Sequence, residues 1–163
     1  MTTKGLAALA LTVEALDRMP AVTAQETTRT VTVAANKTWQ TTGIVLSNQN
    51  FVDIQYVTGK WRVSKDGALA GPGGSSSTVA GTSCFPSRNT PGGALIARIV
   101  SKVINLGVML DIAIKKPDST YGDIVRLEGT GPLSLRVNDC DEWLGDNSGS
   151  IQLRIKLSRA KDL

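Results

Sequence analysis

The residues with the clearest potential for chemistry lie near the carboxyl end of the chain, between positions 138 and 150. This segment reads Asn-Asp-Cys-Asp-Glu-Trp-Leu-Gly-Asp-Asn-Ser-Gly-Ser and is the densest cluster of oxygen-bearing side chains in the sequence. Calcium takes about six to eight oxygen ligands from carboxylates, amide carbonyls and backbone carbonyls. Asp139, Asp146 and Asn147 are natural side-chain ligands of this kind, so the segment is a candidate site for Ca²⁺.

Other metal sites fit the segment less well. The chain has no His and only two Cys, which disfavours zinc. Counted from Asp139, the glycine falls at the seventh position where an EF-hand needs it at the sixth, and Ser150 stands where the bidentate Glu is needed. Asp, Asn, Ser and Gly also form ordinary solvated turns, and the spacing alone favours that simpler interpretation.

The residue types in the sequence give little support for a catalytic function. Without His, a Ser–His or Cys–His nucleophile pair is excluded. Asp139 and Asp146 could in principle form a glycosidase carboxylate pair. Nothing in the sequence marks either residue as an acid of raised pKa in an apolar pocket, so we expect a protein that is not an enzyme.

The candidate segment must be positioned by the two stretches that flank it. Residues 133–137 and 151–157 alternate apolar and polar side chains, which is the pattern of half-buried strands. The segment is therefore predicted to be a loop between two strands, a common place for a binding site. β-branched residues and closely spaced turn signals predict further strands at 28–34, 38–46, 51–57, 60–63, 94–100, 108–114 and 121–126. About eight strands of this type favour an all-β fold, an antiparallel sandwich or barrel.

Two regions stand outside this strand pattern. Leu6, Leu9, Val13 and Leu16 follow helical spacing before Pro20, so residues 1–22 are predicted to be a short N-terminal helical appendage, and a signal peptide is the rival interpretation. Residues 23–163 then form the β-domain, with a long Gly- and Pro-rich loop at 66–93.

Composition limits the class of protein. The 163 residues are 41% apolar and 20% charged, as in one globular domain, and no apolar run approaches the roughly 20 residues of a membrane span. A net charge of +4, with Lys and Arg dispersed and few aromatic residues, gives no sign of nucleic-acid binding. Cys84 and Cys140 could form a disulfide if their loops meet. Two free thiols are the slightly favoured alternative.

Three blocks of the sequence resemble the calcium-dependent galactophilic lectins of the PA-IL (LecA) type. The first is 51–61, a strand that runs into Gly-Lys-Trp, and the second is the Gly-Ala-Leu strand that begins at Gly93. The third is Asn138-Asp139 followed, after five residues, by Gly-Asp-Asn-Ser-Gly-Ser and an alternating strand. The family has the same spacing with Asn in place of Asp146. The third block is the most specific, because spacing and residue types agree over the whole segment.

The resemblance implies a jelly-roll-like β-sandwich of the galactose-binding-domain type that binds galactose-containing glycans without catalysis. It implies that sugar hydroxyls bind Ca²⁺ directly. The implied metal ligands are the side chains of Asp139, Asp146 and Asn147 and the backbone carbonyls of Trp143 and Ser64. The sugar contacts expected in the segment 138–150 are Asp139, Cys140 and Asp146. In the loop before Gly93, where this chain departs from the family, Phe85 is a candidate for stacking on a sugar face, and Arg88 or Asn89 for bonding a hydroxyl. Local packing is an equally weighted alternative for Phe85.

The resemblance leaves other functions open. The chain has no clear counterpart of the family's His and Gln in the loop before Gly93, so the sugar is not fixed by the sequence. The alternatives are a structural or assembly subunit, with the N-terminal helix docked on a neighbour in a homo-oligomer, and a lectin-like domain that binds another ligand.

Overall fold

The computed structural model describes residues 27–75, 84–115 and 124–159. In these residues the chain forms eight strands, one α-helix and one 3₁₀ helix. In chain order they are β1 (Thr27–Ala34), β2 (Gln40–Leu46), β3 (Asn50–Arg62), β4 (Leu95–Ile99), β5 (Lys102–Ile104), α1 (Leu106–Lys115), β6 (Ile124–Glu128), β7 (Gly131–Val137), the 3₁₀ helix (Asp141–Asp146) and β8 (Ser148–Arg159).

The strands form two four-stranded sheets. The first has the order β1-β8-β3-β6 and the second the order β2-β7-β4-β5, and all the pairings are antiparallel. The pleat places alternate side chains on opposite faces of a sheet. In β8 the buried apolar residues are accordingly Ile151, Leu153 and Ile155, while Gln152 and Arg154 are exposed. The predicted all-β antiparallel sandwich is confirmed.

Strand β3 is longer than the sequence pattern predicts. The expected strands at 51–57 and 60–63 are one strand of 13 residues, Asn50–Arg62, that pairs with β8 along its whole length. The pairing shifts between Tyr56 and Thr58, and Gly59 follows at φ +100°, where a side chain would collide with the backbone of Ser150. The Tyr56 hydroxyl donates a hydrogen bond to the Gly59 carbonyl across this irregularity. Gly59 therefore allows β3 to continue through a bulge.

The predicted strand at 108–114 is wrong, because these residues belong to helix α1. The stretch is apolar apart from Asp111, which suits a buried strand as well as a helix. The fully buried side chains are Leu106 and Leu110, which are four residues apart on one helical face. The Asn105 side chain accepts a hydrogen bond of 3.3 Å from the Val108 N–H, as a helix N-cap does. The cap and the i, i+4 pair therefore identify as a helix an apolar run that periodicity alone does not assign.

Several other predicted elements have altered bounds or lie outside the described residues. The weak strand expected at 121–126 is present as Ile124–Glu128. The predicted N-terminal helix at 1–22 and positions 76–83 of the long loop lie outside the described residues; positions 66–75 and 84–93 are irregular, apart from a bridge between Ala70 and Trp61. Within the parts of the chain that the structure describes, no helix is both long enough and apolar enough to cross a membrane.

Candidate functional site

The candidate segment 138–150 connects the two sheets. Strand β7, which precedes it, is in the second sheet, and β8, which follows it, is in the first. Between them the chain turns through the 3₁₀ helix Asp141–Asp146. This crossing brings the segment against residues that follow β3 and residues that precede β4. The predicted loop is thus fixed by both halves of the sandwich.

Arg136 stabilises the backbone of the segment. Its side chain is only 1% exposed, although the alternation in β7 suggested an outward-facing residue. The guanidinium donates to the carbonyls of Val137 and Asp139, at 3.0 and 2.8 Å, and forms an ion pair of 2.7 Å with Asp141. A planar donor group that bonds three oxygens holds the backbone around Asp139 in one conformation. No pattern in the sequence indicates this role.

Asn138 joins the segment to the loop before β4. Its side chain is fully buried, and its Oδ1 accepts a hydrogen bond of 3.1 Å from the Ser87 N–H. Its Nδ2 lies within 2.9–3.3 Å of the carbonyls of Ser87, Thr90 and Pro91. Its backbone carbonyl accepts from the Gly93 N–H at 2.9 Å. One amide side chain therefore satisfies the backbone of a loop that has little regular structure of its own.

We expect Asn138→Ala to destabilise the protein by about 2–3 kcal/mol, because it leaves the buried polar groups of this loop without partners. The measurement is urea denaturation followed by circular dichroism. Asn89→Ala is the matched control, since Asn89 is exposed in the same loop. Equal midpoints for the two variants would contradict this account of Asn138.

A disulfide between Cys84 and Cys140 makes the second connection between the same two segments. The Cα atoms are 5.1 Å apart, and the residues are 56 positions apart in sequence. The slightly favoured expectation of two free thiols is wrong. The sequence could not decide this point, because only the packing of the loop before β4 against the end of β7 brings the two residues together.

Two aromatic residues lie at the candidate site: Phe85 is buried, and Trp143 is exposed. Phe85 is only 7% exposed and packs against Cys140. Its ring also meets the Trp143 ring edge to face, with 5.9 Å between the centroids. Trp143 is 49% exposed. The alternative that assigned Phe85 to local packing is therefore supported, although part of its ring still reaches the cavity described below.

Asp139 and Asn147 form the polar centre of the site, and both are buried. The Asp139 carboxylate accepts hydrogen bonds from the Cys140 N–H at 2.8 Å and from Asn147 Nδ2 at 2.9 Å. Asn147 Nδ2 also donates to the Ala35 carbonyl at 3.2 Å. These two acceptors fix which end of the amide is nitrogen. Asn147 Oδ1 is consequently left buried with no hydrogen-bond partner, the only such side-chain atom in the described part of the chain.

Burial raises the pKa of the Asp139 carboxyl above its ordinary value, and the nearby Asp146 carboxylate adds to the rise. The hydrogen bonds from Asn147 and Cys140 and the charge of Arg136 act in the opposite direction. Because the pKa is raised in the folded state, the charged carboxylate lowers the stability at neutral pH. That penalty disappears as the pH falls below the unfolded value of about 3.9. A cation beside the carboxylate would favour its charged form and offset the penalty.

A cavity of about 280 Å³ lies beside Asp139. Asp139, Asp146, Trp143 and Ser64, all named from the sequence, line it together with Phe85. The remaining lining residues are Val63, Gly92 and Gly93. Gly93 has φ +74°, and its carbonyl accepts a hydrogen bond of 2.8 Å from the indole of the buried Trp61. The residues after β3 and before β4 therefore form the wall opposite the candidate segment.

The oxygen atoms around this cavity suit a hard cation. In the described ranges, no three His, Cys, Asp or Glu side chains lie together as a metal cluster. A transition-metal centre therefore has no ligand set here. The carboxylates of Asp139 and Asp146 line the cavity together with Ser64 and Trp143. Asn147, the remaining predicted ligand, is not among the lining residues; it contacts Asp139, and its Oδ1 atom has no hydrogen-bond partner. Carboxylate, amide and backbone carbonyl oxygens are the ligand types that Ca²⁺ accepts, so the chemistry of these residues fits this ion.

Two of the predicted sugar contacts, Cys140 and Arg88, do not line the cavity. Cys140 is fully buried and its sulfur is bonded to Cys84, so it forms part of the scaffold of the site. Arg88 is exposed and is not among the residues that line the cavity. Sequence reasoning overlooked Asn138 and Arg136 as supports of the site. It also overlooked the side chain of Trp143, which it named only for its backbone carbonyl.

Comparison with solved structures identifies the class of fold. The chain is similar to the N-terminal domain of EclA, described as a PllA-like lectin. The TM-score is 0.50 and the sequence identity 18%, over 80% of this chain and 94% of that chain. No protein-family model matches the chain, and no curated protein matches it. The fold is therefore a lectin-like β-sandwich.

Proposed function

We propose that this protein is a calcium-dependent lectin without catalytic activity, which binds galactose-containing glycans through an ion in the cavity beside Asp139. The side chains of Asp139, Asp146 and Asn147 and the backbone carbonyls of Trp143 and Ser64 would hold the ion. The observation that supports this most strongly is the buried Oδ1 atom of Asn147, which has no hydrogen-bond partner. An unsatisfied buried acceptor costs about 1–3 kcal/mol, so its presence beside a desolvated carboxylate calls for a cation.

The hydrogen bonds of Asp139 leave lone pairs on its carboxylate that can bind both the ion and a sugar hydroxyl. Each of its carboxylate oxygens accepts one hydrogen bond from the protein. A carboxylate has about four lone-pair sites, so further positions remain. These positions can take the ion and can accept a hydrogen bond from a sugar hydroxyl. A charge-assisted bond of that kind is stronger than one between neutral groups.

The other residues prepare the site before a ligand arrives. Asn147 and Arg136 fix the orientation of the Asp139 carboxylate and its backbone, so little freedom is lost on binding. Asp146 is exposed at the cavity and adds a second negative charge there. When bound, Ca²⁺ supplies open coordination positions that hydroxyl oxygens can fill in place of water.

The size of the cavity and the kind of fold favour a sugar as the ligand. A volume of about 280 Å³ lies just below the range of roughly 300–1,000 Å³ that holds drug-sized ligands, so a single sugar ring is a suitable occupant. The similar solved domain is described as a PllA-like lectin. Galactose is the expected sugar because the motif at 138–150 resembles that of the galactophilic family.

Calorimetric titration of methyl β-galactoside tests the proposal directly. We expect heat of binding in the calcium-loaded protein and none after treatment with a chelator, with binding restored when calcium is returned. Methyl α-glucoside is the control for sugar selectivity. Binding of galactoside at equal strength with and without chelator would refute the role of the ion. An absence of binding in both states would refute the lectin function.

A further inference from the structure

Trp143 is the large aromatic side chain that the fold leaves accessible at the cavity. It is 49% exposed, whereas Phe85, which lines the same cavity, is 7% exposed. Exposed apolar side chains are common on protein surfaces and need no explanation when they stand alone. Trp143 does not stand alone, because it shares one cavity with two carboxylates and the residues that follow β3.

The position of the Trp143 ring is fixed by its surroundings. Its backbone N–H donates to the Cys140 carbonyl at 3.0 Å within the 3₁₀ helix. The edge-to-face contact with Phe85 holds the ring from one side, and Phe85 in turn packs against Cys140 of the disulfide. A large side chain with few rotatable bonds, already held in place, loses little entropy when a ligand covers it. The exposed part of the ring is thus a prepared apolar surface.

We propose that the Trp143 side chain is the platform on which the sugar ring packs, so that the site takes galactose-configured pyranosides by two contacts at once. This inference rests on the proposed function. The hydroxyl groups of a galactose ring are unevenly distributed, because the axial hydroxyl at carbon 4 leaves the hydrogens of carbons 3, 4 and 5 together on one apolar face. Trp143 offers the apolar partner for that face, while Asp139 and Asp146 offer the polar and charged groups for the hydroxyls.

The same geometry assigns the stacking role differently from the sequence. Phe85 was the predicted stacking residue, but its ring is largely covered by Cys140 and Trp143. A buried ring supports its neighbour, and an exposed ring contacts the ligand. Trp143 would therefore serve twice, with its backbone carbonyl toward the ion and its side chain toward the sugar. Substitution of the side chain leaves the carbonyl in place, which separates the two roles experimentally.

The test compares Trp143→Ala and Trp143→Phe with the unchanged protein. Calcium binding and methyl β-galactoside binding at saturating calcium are each measured by calorimetry. We expect Trp143→Ala to keep its calcium affinity within about threefold and to lose at least tenfold in galactoside affinity, equal to 1.4 kcal/mol. Trp143→Phe should recover most of the loss, since it restores an aromatic face. Leu69→Ala is the matched control, because Leu69 is similarly exposed, at 56%, and does not line the cavity.

The outcomes separate this inference from the proposed function. If Trp143→Ala binds both calcium and galactoside like the unchanged protein, the platform is refuted and the lectin function stands. If Trp143→Ala loses calcium binding as well as sugar binding, the side chain has a structural role and the platform is again refuted. If the unchanged protein binds calcium but no galactoside, the lectin function and the platform fail together.

Discussion

We expect millimolar Ca²⁺ to raise the thermal midpoint of this protein by roughly 5–10 °C, and Asp139→Ala to abolish that rise. A ligand that binds only the folded state stabilises it by about 2.7 kcal/mol at a free concentration of 100 times its Kd. For a chain of 163 residues, each kcal/mol corresponds to roughly 2–4 °C. Differential scanning calorimetry with calcium and with chelator measures the effect.

The informative quantity is the shift caused by calcium in each variant. Asp139→Ala also removes the acceptor for the Cys140 N–H and for Asn147 Nδ2, so its midpoint in chelator will differ from that of the unchanged protein. Glu142→Ala is the matched control, because Glu142 is an exposed acidic residue in the same 3₁₀ helix and is not among the proposed ligands. It should keep the full shift. A shift of the same size in Asp139→Ala, or no shift in the unchanged protein, would count against the calcium site.

The second large effect concerns the disulfide. We expect the double variant Cys84→Ala/Cys140→Ala to be less stable by about 4 kcal/mol. This value follows from the loss of entropy in an unfolded chain cross-linked over 56 residues. The bond joins the start of the candidate segment to the loop before β4, which lines the same cavity. Because Cys140 is the immediate neighbour of Asp139, loss of the bond should also weaken calcium binding.

Urea denaturation of the variant and of the unchanged protein, each with and without a reductant, checks this expectation. Reductant should destabilise the unchanged protein toward the value of the variant and should leave the variant unchanged. The control for the loss of Cys140 packing is the single variant Cys84→Ala under reducing conditions, since Cys84 is exposed and Cys140 is fully buried. If the unchanged protein and the double variant have the same midpoint without reductant, the disulfide does not contribute to stability as expected.

The fold class was predictable because burial in a sheet leaves a period of two in the sequence. The alternation in 151–157 corresponds closely to the burial of β8, and the same pattern placed β1 and β2. The prediction failed where an apolar run has no clear period. Residues 108–114 are apolar apart from Asp111, and Leu106, which lies outside that stretch, completes a helical pair with Leu110. The tertiary contacts of α1 with β4 and β6 select the helix.

The candidate site was predictable in its chemistry and only partly in its structure. Asp139, Asp146, Trp143 and Ser64 were named from the sequence, and all four line one cavity. Arg136 was not predicted to support the site, because alternation assigns a side chain to a face of the strand and cannot reveal that nearby backbone carbonyls accept its hydrogen bonds.

The sequence by itself determined most of the strands, the oxygen-rich segment between the last two of them and the residue types that suit a hard cation, because these depend on local periodicity and on side-chain chemistry. Only the tertiary structure decided the pairing of Cys84 with Cys140, the burial of Phe85 with the exposure of Trp143, and the isolation of Asn147 Oδ1. Each of these depends on residues that are distant in sequence. Ala35, for example, fixes the amide of Asn147 from a position 112 residues away. Such contacts form when the sheets pack, and no local pattern records them.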